Sequence, residues 1–141
     1  MDKIQSLKGM IDLIANRSDP DDFAESIFRT EDALKNIFVN FGYSEIRTPI
    51  LEDADLFKRS VGDSSDIVNK ELYSFLDKNE KNITLRPENT AGVIRSVIEK
   101  KIDVNTHKFW YLGPMWRYER PQKGRYRQFN QAGIEIIGYP E

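Results

Sequence analysis

The sequence has no cysteine and a single histidine, His107, among its 141 residues. Disulfides and thiolate metal sites are therefore excluded, and one histidine cannot build a histidine cluster, so a metal could enter only through carboxylates or with a substrate. No run approaches the roughly 20 apolar residues needed to cross a bilayer, and the N-terminus MDKIQSLKGM lacks the continuous apolar core of a secretory leader. A cytoplasmic protein without membrane contact is the expectation. No charge sign dominates either: 21 Lys and Arg face 23 Asp and Glu, for a formal net charge of -2. Any site for a polyanion must be local, because the overall field does not favour one.

What is present suits one folded domain. A chain of this length buries roughly two-thirds of its unfolded surface, and eight Phe with six Tyr are too aromatic for a disordered chain. SDPDDF predicts a helix capped by Ser18 or Asp19 with Pro20 in its first turn. Phe23, Ile27, Leu34, Ile37, Phe38 and Phe41 follow as one apolar stripe, expected to pack in the core, and Gly42 supplies the C-terminal cap. Ile46, Thr48 and Ile50 alternate as in a strand that Pro49 ends or leaves at an edge. ADLFKRSVG reads as a short helix, and Leu72 to Leu76 with Ile83 to Leu85 as a hairpin around DKNEKN. A second helix opens near Pro87, buries Val93, Ile94, Val97 and Ile98, and ends at Lys100 and Lys101. KFWYLGPMWRY and RYRQFNQAGIEIIG form a last hairpin around ERPQKG.

That hairpin is the first candidate site. Period-two geometry puts Arg125, Arg127, Phe129, Gln131, Gly133, Glu135 and Ile137 on one face. Tyr126, Gln128, Asn130, Ala132, Ile134 and Ile136 take the other, which turns apolar and suits a core. The odd face is either a solvated outer surface or a binding site. Gly133 in its middle suggests close approach by another group, and guanidiniums make the planar bidentate contacts that phosphate oxygens accept. TLRPENTAG is the second candidate: Glu88, Asn89 and Thr90 in a first helical turn either cap the helix or hold a ligand ammonium.

Taken together these segments resemble histidyl-tRNA synthetases, a class II aminoacyl-tRNA synthetase family. SLKGMIDL (6–13) is similar to the family's N-terminal signature and GYSEIRTPILEDADLFKRSVG (42–62) to class II motif 1. TLRPENTAG (84–92) is similar to the amino-acid binding loop, and GPMWRYERPQKGRYRQFNQAGIEIIG (113–138) to motif 2. The resemblance implies an α+β fold, an antiparallel sheet flanked by helices forming a truncated class II catalytic core. It implies ATP, with Mg2+, and L-histidine as substrates, tRNA(His) as acceptor, and a homodimer for the full-length protein. By the same resemblance, Arg117 holds the α-phosphate and the attacking carboxylate, with Glu119 and Arg125 on the nucleotide side. Glu88 and Thr90 bind the α-amino group, Gln131 and Glu135 line the amino-acid pocket, and Asn89 and Arg127 are further candidates. Gly133 then leaves space for substrate.

Three features depart from the family pattern: Asn89 replaces a common glycine, Asn130 replaces a frequent histidine, and GMIDLIANRSDP lacks the proline often found directly after the N-terminal signature. Asn89 can be accommodated because asparagine accepts positive φ better than most residues. Residues 1–141 read as the N-terminal portion of the catalytic domain, with motifs 1 and 2 but neither motif 3 nor an anticodon-binding domain. A regulatory paralogue that partners ATP phosphoribosyltransferase is an alternative, and a non-catalytic RNA-binding module built on the basic, aromatic hairpin is another. The 141-residue chain alone is expected to catalyse little or no aminoacylation. Histidine-dependent ATP–pyrophosphate exchange at the level of a full enzyme would contradict that expectation.

Overall fold

The first apolar stripe folds as α1, Ala24–Asn40, in a computed structural model that describes residues 3–15, 23–102 and 105–138. The cap expected at Ser18 or Asp19 and Pro20 lies outside the described residues. At the other end Gly42 adopts φ 79°; its N–H donates to Val39 O and the Tyr43 N–H to Phe38 O, both at 3.0 Å. This pair of bonds closes the helix on a left-handed glycine, as expected.

Two three-stranded sheets follow. The first has the order β1-β5-β6, with β1 at Ser44–Glu45, β5 at His107–Trp116 and β6 at Gln128–Ile137. The second has the order β2-β4-β3, with β2 at Leu51–Asp53, β3 at Tyr73–Leu76 and β4 at Asn82–Leu85. Helix α2 (Ala54–Val61) is capped by Asp53, whose carboxylate accepts from Asp55 N. Its buried Phe57 packs toward α3, Thr90–Glu99. A π turn over Ile67–Glu71 leads into β3. The α+β expectation stands, with antiparallel pairing throughout except that β1 runs parallel to β5. Among the described residues no helix is long and apolar enough to cross a membrane.

Three expectations need correction. The strand over Ile46, Thr48 and Ile50 does not form: residues 46–50 cross from the first sheet to the second, and Arg86 takes their carbonyls. The Arg86 N–H donates to Ile50 O at 3.0 Å, and its Nη1 donates to Thr48 O at 3.1 Å. The stripe of α1 is only partly covered. Phe38 rests on the buried Trp110 at 5.6 Å between ring centres, but Ile37 and Phe41 stay exposed because the helix meets the sheet along one flank only. On α3 Val93 is buried, while Ile94 and Ile98 face solvent. The inward face of that helix is instead Ala91, Gly92, Val93 and Ser96, small enough to pass close to Thr48 and Glu52.

The faces of β6 are likewise reversed in their roles. The buried cluster of Val93, Tyr111 and Met115, with Phe109, Phe129, Ile137 and Ile46 around it, lies on the odd face against α3. The even face, expected to be the core, carries α1 but leaves Ile134 and Ile136 each 46% exposed. Site and core thus share one side of the sheet.

Arg86 joins the parts. It follows β4, its carbonyl accepts from Trp116 N at 3.0 Å, and its Nε donates to Pro114 O at 3.0 Å. Burial holds its pKa below the ordinary value, against the pull of Glu52. Truncation would leave buried carbonyls without donors, so Arg86→Ala is expected to lower stability by about 3 kcal/mol. Urea denaturation checks this, and an unchanged midpoint would contradict it.

Candidate functional site

The N-terminus of α3 lies beneath the outer strand β6, and this juxtaposition assembles the first half of the site. Thr90 Oγ1 donates to Glu135 Oε1 at 2.6 Å. Glu88, two residues earlier, accepts from Ala91 N through both carboxylate oxygens at 3.2 and 3.3 Å. This is the helix-capping geometry that the sequence offers as the simpler reading, and it leaves the carboxylate over the positive helix end. Glu88 is nevertheless held above its ordinary pKa of 4.5, first by burial and then by repulsion from Glu135; the Ala91 and Thr90 N–H groups and Arg117 oppose this.

Gln131 faces the same side, opposite Gly113 in the ladder. Its Oε1 is shut away from solvent and has no hydrogen-bond partner among the described residues. A buried acceptor left in this state costs free energy that a donor on a ligand would recover.

Asn89 takes no part in this grouping. It is buried, its Oδ1 accepts from Thr48 Oγ1 at 2.6 Å, and its φ of -122° makes no use of left-handed backbone. Its side chain belongs to the packing between α3 and the 46–50 crossing. Gly133 also differs from expectation. A Cβ there would stand 2.3 Å from Tyr111 Cζ and Oη, so the missing side chain makes room for the ring of its cross-strand partner, not for substrate. The Tyr111 phenol, its pKa raised by burial, lies near Thr90, Glu135 and Glu88. Sequence reasoning passes over this tyrosine because only the ladder register reveals the Tyr111–Gly133 pair.

The second half of the site lies where the long hairpin stops being a sheet. Arg117 donates from Nε to Pro87 O at 2.9 Å, and its guanidinium lies 5.3 Å from the Phe129 ring centre. It therefore touches the segment that carries Glu88. Glu119 lies 3.8 Å from the Arg125 Nε, and a tight turn at Lys123 and Gly124 pairs Gln122 with Arg125. Nearby Glu71 is raised in pKa by burial and by Glu119, with Arg117 pulling the other way. Arg127 does not extend the row of Gln131 and Glu135, because β6 begins only at Gln128. Its guanidinium lies 4.0 Å from the Tyr118 ring centre, and its Nε donates to Glu119 O at 3.0 Å.

The geometry therefore joins an acidic, hydroxyl-bearing cluster (Glu88, Thr90, Tyr111, Glu135, Gln131) to a guanidinium-bearing one (Arg117, Arg125, with Glu119). Arg117 is the link between them. Such a pair suits a zwitterionic amino acid on one side and a phosphate ester on the other. Among the described residues no group of three His, Cys, Asp or Glu side chains could hold a metal ion.

Comparison with known proteins adds a family likeness. A family model described as histidyl-tRNA synthetase matches residues 18–141. A protein named histidine–tRNA ligase from Legionella pneumophila (strain Philadelphia 1) is 53% identical over 140 residues, covering 98% of this chain and 31% of its own length. Another of that name from a Nitratiruptor species is 51% identical over 139 residues, covering 97% of this chain and 33% of its own. The chain thus spans about a third of the length of the curated relatives it matches. The crystal structure of apo S. aureus histidyl-tRNA synthetase superposes with TM-score 0.68 at 36% identity, over 94% of this chain and 28% of that one. An ATP phosphoribosyltransferase regulatory subunit/histidyl-tRNA synthetase from Bacillus halodurans C gives TM-score 0.76 at 25% identity, over all of this chain and 35% of that one.

The Glu88 shift has a stability consequence whose sign is fixed. A carboxyl raised above its ordinary 4.5 holds its proton more tightly when folded. Its contribution to stability is full below that value and lost as pH rises through the raised one. Glu88→Gln keeps the neutral shape, so its stability relative to the unsubstituted chain is expected to rise from below pH 4.5 to neutrality. Urea denaturation of both chains across that range tests this, and parallel pH profiles would contradict it.

Proposed function

Because the chain belongs to the histidyl-tRNA synthetase family, we propose that its two joined clusters bind L-histidine and ATP for formation of histidyl-adenylate. The observation that carries this reading is the bond from Arg117 Nε to Pro87 O, 2.9 Å long. It sets a guanidinium at the border between the phosphate side and the amino-acid side.

In the reaction a carboxylate oxygen of histidine attacks the α-phosphorus of ATP, the bond to the β-phosphate oxygen breaks, and pyrophosphate leaves. The 3'-terminal adenosine of tRNA(His) then attacks the histidyl carbonyl, and AMP departs. No covalent enzyme intermediate is needed, so alignment and charge neutralisation carry the catalysis. Arg117 would draw carboxylate and α-phosphate together. Arg125 and Glu119 would hold the nucleotide, Glu119 beside the adenine. Glu88 and Thr90 would take the α-ammonium, whose positive charge offsets the two neighbouring carboxylates. Gln131 and Glu135 would receive the imidazole. Arg127 supports the nucleotide side through Glu119, and Asn89 supports the loop from behind. ATP would enter as its Mg2+ complex, the phosphates supplying the ligands that the described residues do not gather. Residues 1–141 would serve as the N-terminal portion of the catalytic domain in a cytoplasmic homodimer.

The regulatory paralogue of ATP phosphoribosyltransferase is the second reading, favoured by the likeness to the Bacillus halodurans C protein. It calls for histidine binding without ATP binding.

Calorimetric titration of the chain with each substrate separates the two. Gln131→Met removes the buried unpartnered oxygen. It is expected to leave stability unchanged or up to about 1 kcal/mol higher while weakening histidine about tenfold, the equivalent of one lost hydrogen bond. Arg125→Ala is expected to weaken ATP and spare histidine. Histidine binding unaffected by Gln131→Met, or an absence of ATP binding in the unsubstituted chain, would count against the synthetase reading.

A further inference from the structure

The N-terminal signature SLKGMIDL is the one motif that the substrate pockets leave unexplained. In the structure it passes across the start of β6. Gly9 O accepts from Arg127 N at 2.8 Å and from Gln128 N at 3.3 Å. Gly9 has φ +80°, and a Cβ on it would stand 2.8 to 3.1 Å from Arg127 Cγ, Cβ and Cδ. Both the backbone shape and the closeness to Arg127 thus require glycine. The contact falls where the hairpin has lost its ladder, since β5 ends at Trp116 and β6 begins at Gln128.

Arg127 passes the constraint on. Its carbonyl accepts from Arg117 N at 2.9 Å, its Nε donates to Glu119 O, and its guanidinium covers Tyr118. Three consecutive residues of the opposite arm are therefore gripped by one arginine whose own place is set by Gly9. Beyond them, among the described residues, the arms meet at the Gln122–Arg125 turn and through the loose Glu119–Arg125 pair at 3.8 Å.

We propose that Gly9 is a positioning residue for the nucleotide side of the site: its carbonyl and bare α-carbon seat Arg127, which in turn places Arg117 and Glu119 for ATP. The inference rests on the ATP reading above and goes beyond it in giving the N-terminal segment a share in the site. Apart from Arg117 the amino-acid side depends on α3 and β6 proper, and Arg117 keeps its own anchor on Pro87 O, so the loss of Gly9 should weaken ATP far more than histidine.

The test compares the unsubstituted chain with Gly9→Ala, titrating ATP and histidine separately and following amide hydrogen exchange at Arg127 and Gln128. Gly9→Ala is expected to weaken ATP about tenfold, a change of about 1.4 kcal/mol, to leave histidine within about twofold, and to speed exchange at both amides. Equal weakening of both substrates, unchanged ATP affinity, or unchanged exchange would each overturn the inference. If Gly9→Ala does not fold, a chain lacking residues 1–10 removes the same acceptor without adding a side chain. The same selectivity is expected there, and undiminished ATP affinity overturns the proposal. An unsubstituted chain that binds histidine but not ATP would overturn the parent reading and this inference with it. One that binds ATP as tightly as its Gly9→Ala variant does would overturn the inference alone.

Discussion

The buried guanidinium of Arg86 is the constraint on which the remaining structure depends. Removing a guanidinium from water is costly, and most buried arginines answer with a carboxylate. Here the nearby carboxylate, Glu52, is bound instead to Arg95 at 2.8 Å. Arg86 is satisfied mainly by main-chain oxygens, Pro114 O in the first sheet and Thr48 O in the crossing segment. Those carbonyls must converge on it, which fixes how the two sheets meet. Its backbone adds bonds to Ile50 and Trp116. The next residues in the chain are Pro87 and Glu88, so the position of the site follows directly from this junction.

That arrangement explains why polar pocket and apolar core can share a face. Around Val93, Tyr111 and Met115 the sheet packs on α3 as an ordinary core. One turn toward the helix N-terminus the side chains become Glu88, Thr90, Glu135 and Gln131, and low polarity works against the two that are enclosed, Glu88 and Gln131. Burial raises Glu88, and Gln131 Oε1 lacks a partner among the described residues. A fold optimised only for stability would place apolar groups there. The uncompensated polarity is what the proposed ligand, with an ammonium and hydrogen-bond donors of its own, would relieve.

Local signals in the sequence are legible where a single residue decides the outcome. Gly42 ends α1, Asp53 begins α2, and both hairpins form near their expected limits. What is not legible depends on partners distant in sequence. Alternation at Ile46, Thr48 and Ile50 is a fair strand signal, but Arg86 competes for the same carbonyls and nothing in the local pattern announces it. The faces of β6 can be sorted, yet which one meets the core depends on α3, whose inward side is its small residues rather than Ile94 and Ile98. Gly133 is recognisable as a place of close approach, but its register with Tyr111 is needed to identify what approaches. The grouping of Glu88, Thr90 and Glu135 comes from motif resemblance, and the structure supplies its physical basis in the packing of a helix start against an edge strand.

The arginines near the end of the chain can be distinguished by what they already touch. Arg86 uses Nε and Nη1 on protein carbonyls, in a buried position, and is structural. Arg127 uses Nε on Glu119 O and stacks on Tyr118, with Gly9 against its stem. Arg117, among the described residues, is anchored through Nε and a ring contact. This leaves its pair of terminal nitrogens as a planar fork, the geometry that a carboxylate or phosphate accepts in bidentate fashion. Arg125 is exposed and only loosely opposed by Glu119. Cations close together in sequence thus carry different duties, and only a small number of their donors stay uncommitted among the described residues. A compact phosphate can engage that set, whereas a long polyanion would need a broad cationic surface that a chain of net charge -2 does not offer.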